Sequence, residues 1–286
     1  PFFSILFIII TNCDHSQTDS ISQLSIQSPL APSDSVSGEP NLVVGDDDRV
    51  YLSWIDRAGE GRHTLRFTVY ESGRWVTPKT VAEGENWFVN WADFPSLAVS
   101  VDGAMTAHWL AKSANTPYAY DVRMAQSFDG GNKWHMPLTP HSDGTPTEHG
   151  FVSMLPQEND RTLAIWLDGR NMARHSEAGS RAMTLRAAVI DRVGGLHDEV
   201  ELDNRICDCC QTTAVRTASG VVAAYRDRSE GEIRDISVVR LRDGAWTEPQ
   251  AVSKDGWKIK ACPVNGPVLA ADERSVALVW FTNADD

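Results

Sequence analysis

The 286-residue sequence is poor in basic side chains: 26 lysines and arginines stand against 39 aspartates and glutamates, which gives a formal net charge of −13. Such a charge argues against nucleic acids and anionic membrane surfaces as general partners, because both are repelled by an acidic protein. It does not exclude a small anionic ligand, since a local group of arginines can override the global sign. The sequence also lacks convincing helical periodicity, which favours an all-β fold.

Long hydrophobic runs are missing as well. The apolar segment at residues 2–10 is shorter than the about 20 residues that span a bilayer, but it suits the core of a signal peptide. Cys13 follows closely and resembles the acceptor cysteine of a bacterial lipoprotein. We therefore expect a signal-peptide remnant at residues 1–13 and a flexible linker at residues 14–38. The predicted location is the bacterial cell envelope, with a lipid anchor on Cys13 as the only membrane contact; a periplasmic or secreted protein is the alternative.

A repeated pattern occupies the rest of the chain. An apolar strand ends on an aromatic residue at intervals of 55 to 59 residues, at Trp54, Trp109, Trp166, Tyr225 and Trp280. Another strand precedes each of these, and a third strand follows the first four, at residues 64–70, 121–126, 183–190 and 235–241. With a turn and a fourth strand after that, the pattern predicts the four-stranded blades of a β-propeller. A pair of β-sandwiches is the alternative, but it would not explain the even spacing of the aromatic residues.

One turn in this pattern has a distinctive sequence. The segment from Ser127 to Trp134 joins two predicted strands; Asp129 can accept hydrogen bonds from the turn's own amides, and Gly131 can adopt a positive φ. The pattern Ser127-x-Asp129-x-Gly131-x-x-Trp134 resembles the Asp box, or bacterial neuraminidase repeat, of sialidase-like β-propellers. The resemblance implies a six-bladed propeller, of which residues 39–286 would hold four full blades and part of a fifth, truncated at the C-terminal end. It also implies that the box is a folding device.

Loops that lead into first strands and loops that join second to third strands share one face of a propeller, opposite the Asp-box turns. Three related patterns lie there: Trp54-Ile55-Asp56-Arg57, Trp166-Leu167-Asp168-Gly169-Arg170 and Tyr225-Arg226-Asp227-Arg228. One hypothesis is a rim of guanidinium groups that binds an anionic ligand, formed by Arg57, Arg170, Arg226 and Arg228. A carboxylic acid beside it would act as the general acid, chosen from Asp56, Asp168 and Asp227. The alternative is that these are ion pairs which brace neighbouring blades.

Two further residues on this face are candidate ligand contacts. Trp87 could stack on a sugar ring, with packing over the propeller rim as the alternative. His149 and Glu148 are candidate proton-transfer groups, and for His149 an ordinary hydrogen-bonded loop histidine is the alternative.

Cysteine is scarce, with five residues, yet four of them lie at equivalent positions in two neighbouring blades: Cys207, Cys209, Cys210 and Cys262. In an exported protein the expectation is disulfide bonding, and a Cys209–Cys210 bond with a Cys207–Cys262 bond would use all four. The alternative is a metal site, because Cys-x-Cys-Cys and a distant cysteine supply up to four soft ligands. No other cofactor is expected.

The sialidase resemblance covers about residues 40–286 and implies a glycoside hydrolase. Such enzymes bind the sugar carboxylate with three arginines and use an Asp acid and a Tyr nucleophile activated by Glu. The first arginine has no counterpart, because Gly38-Glu39-Pro40 and Asp93-Phe94-Pro95 stand at the comparable positions. The leading hypothesis is an exported, monomeric propeller that binds an acidic glycan or another small acidic ligand and, as an enzyme, would hydrolyse it. The alternatives are a non-catalytic propeller that binds glycan or protein, and a metal- or redox-linked propeller that uses the cysteines.

Overall fold

The structure is a computed structural model, and it describes residues 28–33, 36–59, 61–173 and 181–284. These residues form β-strands, turns and one short 3-10 helix, Arg170–Met172. No helix within these ranges is long and apolar enough to cross a membrane. The predicted signal segment, the predicted anchor Cys13 and most of the predicted linker lie outside the described residues.

The first sheet is antiparallel, and its strands are β1 (Ser37–Val44), β2 (Val50–Ala58), β3 (Arg62–Glu71), β4 (Arg74–Trp75) and β5 (Lys79–Gly84). Strands β4 and β5 both pair with β3. They are two separate strands because Pro78, which lies between them, cannot donate to a strand ladder. Strand β1 begins two residues before the predicted start of the propeller at residue 39, and the Ser33 hydroxyl donates to Asp56 Oδ1 at 3.1 Å. The folded part therefore begins before residue 39.

Four more sheets follow in chain order. The second contains β6 (Ser96–Val99), β7 (Met105–Lys112) and β8 (Tyr120–Ser127), and the third contains β9 (His149–Gln157), β10 (Arg161–Asp168), β11 (Met183–Ile190) and β12 (Leu196–Ile206). The fourth contains β13 (Thr213–Thr217), β14 (Gly220–Arg226), β15 (Ile236–Arg242), β16 (Ala245–Trp246) and β17 (Gln250–Ala251), and the fifth contains β18 (Val268–Ala271) and β19 (Val276–Val279). In the second sheet a further segment continues past β8, because the amides of His135 and Leu138 each donate to its carbonyls at 2.8 Å. The fold is all-β and built from successive antiparallel sheets, as the repeats predict.

The first strands of the five sheets lie side by side. Strand β1 contacts β6, β6 contacts β9, β9 contacts β13, and β13 contacts β18. At the end where these strands finish, Arg216 of β13 donates to Asp46, which follows β1, at 3.0 Å and also to the Pro156 carbonyl of β9. This side chain therefore links the fourth sheet to the first. This arrangement is propeller-like.

The core lies between successive sheets rather than in one place. Four clusters of buried apolar side chains occupy the spaces between the first and second, second and third, third and fourth, and fourth and fifth sheets. Strand β14 shows how one strand serves two of them. Val221, Ala223 and Tyr225 face the third sheet, whereas Val222 and Ala224 face the fifth, because successive side chains of a strand point to opposite faces.

Candidate functional site

Three carboxylates lie at the upper end of the molecule, defined as the end at which strands β6, β9 and β13 begin. Asp93 precedes β6, Glu148 precedes β9 and Asp208 precedes β13. Because the first strands are neighbours, their leading loops meet at this end: the Gln211 side-chain amide donates to the Ala92 carbonyl across the space between them. The repeat therefore brings acidic side chains from three sheets to one place.

Tyr120 joins two of these carboxylates. Its phenol oxygen lies 2.6 Å from Glu148 Oε1 and 3.2 Å from Asp93 Oδ2. The other oxygen of Asp93 accepts the Phe151 amide at 2.8 Å, which fixes the carboxyl group against the third sheet. Gly150 permits this contact, since a side-chain carbon there would lie 2.0 Å from the Asp93 carboxyl oxygen.

Burial changes the ionisation of this group. It raises the pKa of Asp93 to about 8, although the hydrogen bond from Phe151 opposes the shift. Burial also raises the pKa of Glu148 to about 7, with the charges of Asp208 and Cys207 adding to it, and it raises the pKa of Tyr120 well above its usual value. At neutral pH a protonated Asp93 therefore donates to the Tyr120 oxygen, and the Tyr120 hydroxyl donates to Glu148.

This arrangement is suited to proton transfer. Asp93 and Tyr120 are buried, whereas Glu148 is half-buried and is the member of the group that solvent or a ligand can reach. The two carboxyl oxygens that contact the phenol are at most about 6 Å apart, because both lie within hydrogen-bonding distance of one oxygen. A pKa near neutrality lets Glu148 give and take a proton at the pH of most biological reactions.

Exposed aromatic rings flank the group. Trp91 is 72% exposed and Tyr118 is 65% exposed, and each lies two residues before a member of the group. The ring of Phe88 stacks on Tyr120 with a centroid distance of 4.0 Å and meets Tyr118 edge-on at 6.4 Å. Such a surface offers flat apolar faces to a sugar ring beside polar groups that orient it.

The predicted guanidinium rim is not a free anion-binding surface. Arg57 contacts Glu39 at 2.5 Å, and the Asp56 carboxylate accepts hydrogen bonds from Trp54 Nε1 at 2.7 Å and Arg66 Nε at 2.5 Å. The alternative that the sequence left open, internal ion pairs, describes these two positions.

The second pattern is also bound internally. Arg170 donates to Asp168 at 2.7 Å and to Glu199 at 2.8 Å. Burial opposes ionisation of Asp168, yet the hydrogen bonds from Arg170 and Trp166 and the nearby His149 hold its pKa below the usual value. Asp168 is therefore an anion in a structural network, which does not suit the predicted role of general acid.

His149 belongs to the same interior network. It is fully buried and stacks on His141 at a centroid distance of 3.8 Å, with its Nε2 atom 3.2 Å from an oxygen of Asp143. Burial lowers the pKa of His141 to about 4. Because His149 has no exposed surface, it cannot be the direct ligand contact that the sequence predicted.

The third pattern divides into three roles. Arg226 is buried and donates to the backbone carbonyls of Arg234, Asn265 and Phe281 at 2.6, 3.0 and 2.8 Å, so it ties the fourth and fifth sheets together. Arg228 contacts Glu232 at 2.9 Å and Asp208 at 3.4 Å. Asp227 lines a cleft of about 460 Å³, where burial raises its pKa to about 6 and the charge of Asp203 adds to the shift.

Trp87 is a core residue. It is 7% exposed and packs between His63 and Trp109 at centroid distances of 6.0 and 5.7 Å, between the first and second sheets. The exposed tryptophan of the same loop is Trp91, whose position within the loop the sequence pattern did not distinguish.

The Asp-box segment forms a hydrogen-bonded turn far from the three carboxylates. Asp129 Oδ1 accepts the Ser127 hydroxyl at 2.9 Å and the amides of residues 132 and 133 at 3.0 and 2.9 Å. Trp134 then meets Phe67 of the first sheet edge-on at 6.1 Å. The turn therefore fastens the second sheet to the first.

The four clustered cysteines are free thiols in the structure, so the expected Cys209–Cys210 and Cys207–Cys262 disulfides are not formed in it. The sulfurs of Cys207 and Cys210 are 3.0 Å apart and those of Cys207 and Cys209 are 3.8 Å apart. Cys262 lies with Cys209 and Asp208, all three offering ligand atoms within 4.8 Å of one another. The structure therefore gathers soft ligands from two leading loops.

Asp143, His149 and Asp168 also bring ligand atoms together. There Arg170 already supplies a positive charge, 2.7 Å from Asp168 and 3.8 Å from Asp143. A cation is not needed to balance those carboxylates.

Known structures share this fold. A protein of unknown function from Dyadobacter fermentans superimposes with a TM-score of 0.56 at 15% identity, covering 85% of this chain and 74% of that one. An α-L-arabinofuranosidase from Fusarium graminearum, in complex with an iminosugar inhibitor, gives 0.51 at 12% identity, over 84% and 68% of the two chains. An α-L-arabinanase from Penicillium chrysogenum, complexed with arabinobiose, gives 0.50 at 12% identity, over 73% and 64%.

The chain has a propeller-like fold. No family model and no curated protein matches it. At these identities the likeness to the solved structures establishes the fold, and the chemistry has to be argued from the residues of the chain itself.

The sequence patterns did not assign the group formed by Asp93, Tyr120 and Glu148. Glu148 was a candidate proton-transfer group together with His149, whereas Asp93 stood out only as a position without the expected arginine. A signal was present, because acidic residues precede the first strands of three successive repeats: Asp93, Glu148 and Asp208. Aligning the repeats on the aromatic ends of the second strands shows it, because the three acids lie 16, 18 and 17 residues before Trp109, Trp166 and Tyr225.

Proposed function

We propose that the chain is a glycan-directed β-propeller, and that it hydrolyses glycosidic bonds at the group formed by Asp93, Tyr120 and Glu148. The observation that carries this proposal is the single phenol that bridges two carboxyl groups, with pKa values of about 8 and 7, beside exposed aromatic rings. In this proposal the protonated Glu148 gives its proton to the leaving oxygen as the glycosidic bond breaks, and the resulting carboxylate takes a proton from the water that attacks the anomeric carbon. Tyr120 and the protonated Asp93 hold Glu148 in position.

The charge of the site favours an uncharged sugar over the acidic glycan that the arginine patterns predicted. Three carboxylates converge on the upper end, whereas the nearest guanidinium groups contact other partners. Arg228 contacts Glu232 and Asp208, and Arg226 donates to backbone carbonyls. A sugar carboxylate placed there would meet the carboxylate of Asp208 and, when it is ionised, that of Glu148, whereas Asp93 is neutral at pH 7. Sialidase-type specificity is therefore the less favoured form of the proposal.

The finer features suggested by the Asp-box resemblance belong to the same proposal. In this view the five sheets are four complete blades and part of a fifth, arranged as in sialidase-like propellers. Export, a lipid anchor on Cys13 and a monomeric state stay predictions. Two of the compared structures carry sugar-like ligands, arabinobiose and an iminosugar, and this accords with a glycan ligand here.

The test is turnover of chromogenic glycosides by the full chain. We expect release of 4-nitrophenol from an uncharged pentoside, such as 4-nitrophenyl α-L-arabinofuranoside, and little from a fluorogenic sialoside. In Glu148→Gln, kcat/KM should fall about 100-fold or more, because an amide cannot donate the catalytic proton. Retention on a glycan array without turnover of any glycoside would instead favour the non-catalytic binding protein.

The matched control is Glu158→Gln. Glu158 follows the opposite end of the same strand, β9, and its side chain is exposed. Glu158→Gln removes one negative charge next to β9 and changes no residue of the candidate site, so activity should be unchanged. Equal losses in the two variants would contradict the assignment of Glu148.

A further inference from the structure

The four cysteines at the upper end form a cluster that the proposed hydrolysis does not use. Cys207, Cys209 and Cys210 lie on the loop that leads into β13, and Cys262 lies on the loop that leads into β18. Cys207 and Cys210 are buried, Cys209 is half-buried and Cys262 is exposed. Two loops that belong to different sheets thus bring their sulfur atoms into one cluster.

One sulfur–sulfur distance matches a tetrahedral metal site. The sulfurs of Cys207 and Cys209 are 3.8 Å apart, about the separation of two sulfurs that each lie roughly 2.3 Å from one tetrahedral centre. Cys207 and Cys210, at 3.0 Å, are well beyond the about 2.05 Å of a sulfur–sulfur bond but closer than the tetrahedral separation, so a bound ion would hold these two sulfurs further apart. Cys209 is shared by the two sets of neighbouring ligand atoms, because it lies with Cys207 and Cys210 on one side and with Cys262 on the other.

A buried positive charge lies beside the cluster. The Arg234 guanidinium, which is 4% exposed, donates to the Cys207 sulfur at 3.0 Å. The same guanidinium group also contacts the Glu232 carboxylate at 3.0 Å, so two partners fix its position. A buried cation beside a ligand sulfur is the outer-shell contact that offsets the negative charge of several thiolates around one metal ion.

The loop that carries Cys262 is held in position independently of the sulfurs. Arg226 donates to the Asn265 carbonyl at 3.0 Å and to its side-chain oxygen at 3.1 Å, three residues beyond Cys262. The Cys207 amide donates to the Arg226 carbonyl at 3.0 Å, so the same arginine also supports the other loop. The frame of the cluster is therefore built from hydrogen bonds between the fourth and fifth sheets.

We propose that Cys207, Cys209, Cys210 and Cys262 bind a soft metal ion, Zn²⁺ in a tetrahedral thiolate site, which links the leading loops of the fourth and fifth sheets. Zinc is favoured because all-sulfur tetrahedral sites select it and because a closed four-sulfur site has a structural role. The ligand that completes the set, Cys262, is the one that comes from the neighbouring sheet. Metal binding then couples the two sheets to each other.

The experiment uses the full chain, reduced and stripped of metal by a chelator. Elemental analysis of the protein as purified should find near-stoichiometric zinc. Addition of Co²⁺ to the stripped protein should give the visible d–d bands and sulfur-to-metal charge-transfer bands of a tetrahedral thiolate site, and Zn²⁺ should abolish them. Protein without metal that neither binds zinc nor develops these bands would overturn the proposal.

Variants distinguish a loss of metal binding from a general loss of folding. Cys262→Ser alters an exposed ligand and should leave the fold intact while the cobalt bands are lost or shifted. Cys13→Ser is the matched control, because it removes the one cysteine outside the cluster and should keep full metal uptake. A Cys207–Cys210 disulfide in the purified protein, with no metal uptake after reduction, would identify a redox pair and would also overturn the proposal.

Discussion

Tyr120 is the residue on which the candidate site depends, because its one hydroxyl contacts two carboxyl groups of different burial. Asp93 is enclosed and holds its proton, whereas Glu148 faces the open side of the molecule. A tyrosine has a single proton to donate, so the direction of the two hydrogen bonds follows from the protonation of Asp93. The phenol thereby keeps the two acids in different states, as acid/base chemistry requires.

The first prediction concerns the loss of the Tyr120 hydroxyl. In Tyr120→Phe we expect kcat on an aryl glycoside to fall roughly 10- to 100-fold with little change in KM. The hydrogen bond from Tyr120 lowers the pKa of Glu148, so its loss should move the Glu148-dependent limb of the pH–rate profile to higher pH. A merely structural role for Tyr120 would lower activity without moving that limb.

The pH dependence of stability is a second prediction. Burial gives Asp93 a folded-state pKa of about 8, above the usual aspartate value of 3.8, so the folded protein binds this proton more tightly than the unfolded chain does. The free energy of unfolding should therefore fall as pH rises from about 4 to 8. Asp93→Asn cannot ionise, and relative to it the wild type should lose about 2–4 kcal/mol across this window.

Urea unfolding of both proteins at pH 5 and pH 8 measures this difference. Glu158→Gln serves as the control because its carboxylate is exposed at the far end of β9. A constant difference between wild type and Asp93→Asn at the two pH values would show that Asp93 is ionised in the folded state.

Single residues were the hardest part of the site to predict from sequence. Asp56, Arg57, Asp168 and Arg170 were found as a pattern, but a pattern of acid and arginine describes an internal ion pair and an anion-binding fork equally well. Which one forms depends on side chains from other strands, such as Glu39 and Glu199, whose proximity no local spacing reveals. Asp93 and Tyr120 are 27 positions apart, and only the packing of two strands brings them together.

At the scale of elements, the turn from Ser127 to Trp134 shows a glycine that is required for two reasons. Gly131 has a φ of +76°, and a side-chain carbon there would lie 2.3 Å from the Phe67 ring. Its neighbour Gly130 has a φ of +69° but has nothing within 4 Å of that position. The two glycines share a backbone conformation and differ in the space around them.

This pair gives the third prediction. Gly130→Ala should cost about 1 kcal/mol of unfolding free energy, because the left-handed conformation is unfavourable for alanine. Gly131→Ala should cost about 2–4 kcal/mol, because Phe67 must also move within a packed core. Urea unfolding with both variants isolates the contact, since each bears the same backbone penalty. Equal costs would show that the Phe67 ring is free to shift.

Elements were the most predictable level of this protein. Strand β11 spans the residues predicted for it, 183–190, because apolar residues and turn signals mark both of its ends. The divided fourth strand of the first sheet was not foreseen in detail, since the break at Pro78 depends on which amides face β3. Strand β1 began earlier than expected because polar residues hide a pairing with β2 that is made through the backbone.

At the scale of the whole molecule, the buried apolar clusters of the described residues lie between sheets that are neighbours in chain order. The fifth sheet has one such cluster, and Val268, Val279 and Phe281 are more than half exposed on it. Because stability in such an array comes from neighbour contacts, the fifth sheet should open most easily.

Native-state hydrogen exchange tests this fourth prediction. Amides of β10, β11 and β14, which lie in sheets with two neighbours, should exchange with the largest opening free energies. Amides of β18 and β19 should exchange at lower free energies, and the difference should grow when the four cysteines are kept reduced and free of metal. Uniform protection across all five sheets would show that the molecule opens as a single cooperative unit.

The all-β architecture could be predicted because the same spacing of strands and aromatic strand ends recurs in every repeat. The function could not, because it depends on the few positions at which the repeats differ. Asp93, Glu148 and Asp208 occupy related places before their strands, yet only the first two meet a tyrosine, and only the third lies among cysteines. Repetition fixes the scaffold, whereas the departures from it determine the chemistry.

The two-sided strand β14 has an evolutionary consequence. Ala223 and Ala224 are chemically identical and adjacent in the chain, but each must fit a different neighbouring layer. Substitutions at the two positions should accumulate independently, while each should covary with residues a whole repeat away. In an alignment of relatives, the co-evolving partners of such a strand should therefore form two separate groups, one for odd and one for even positions.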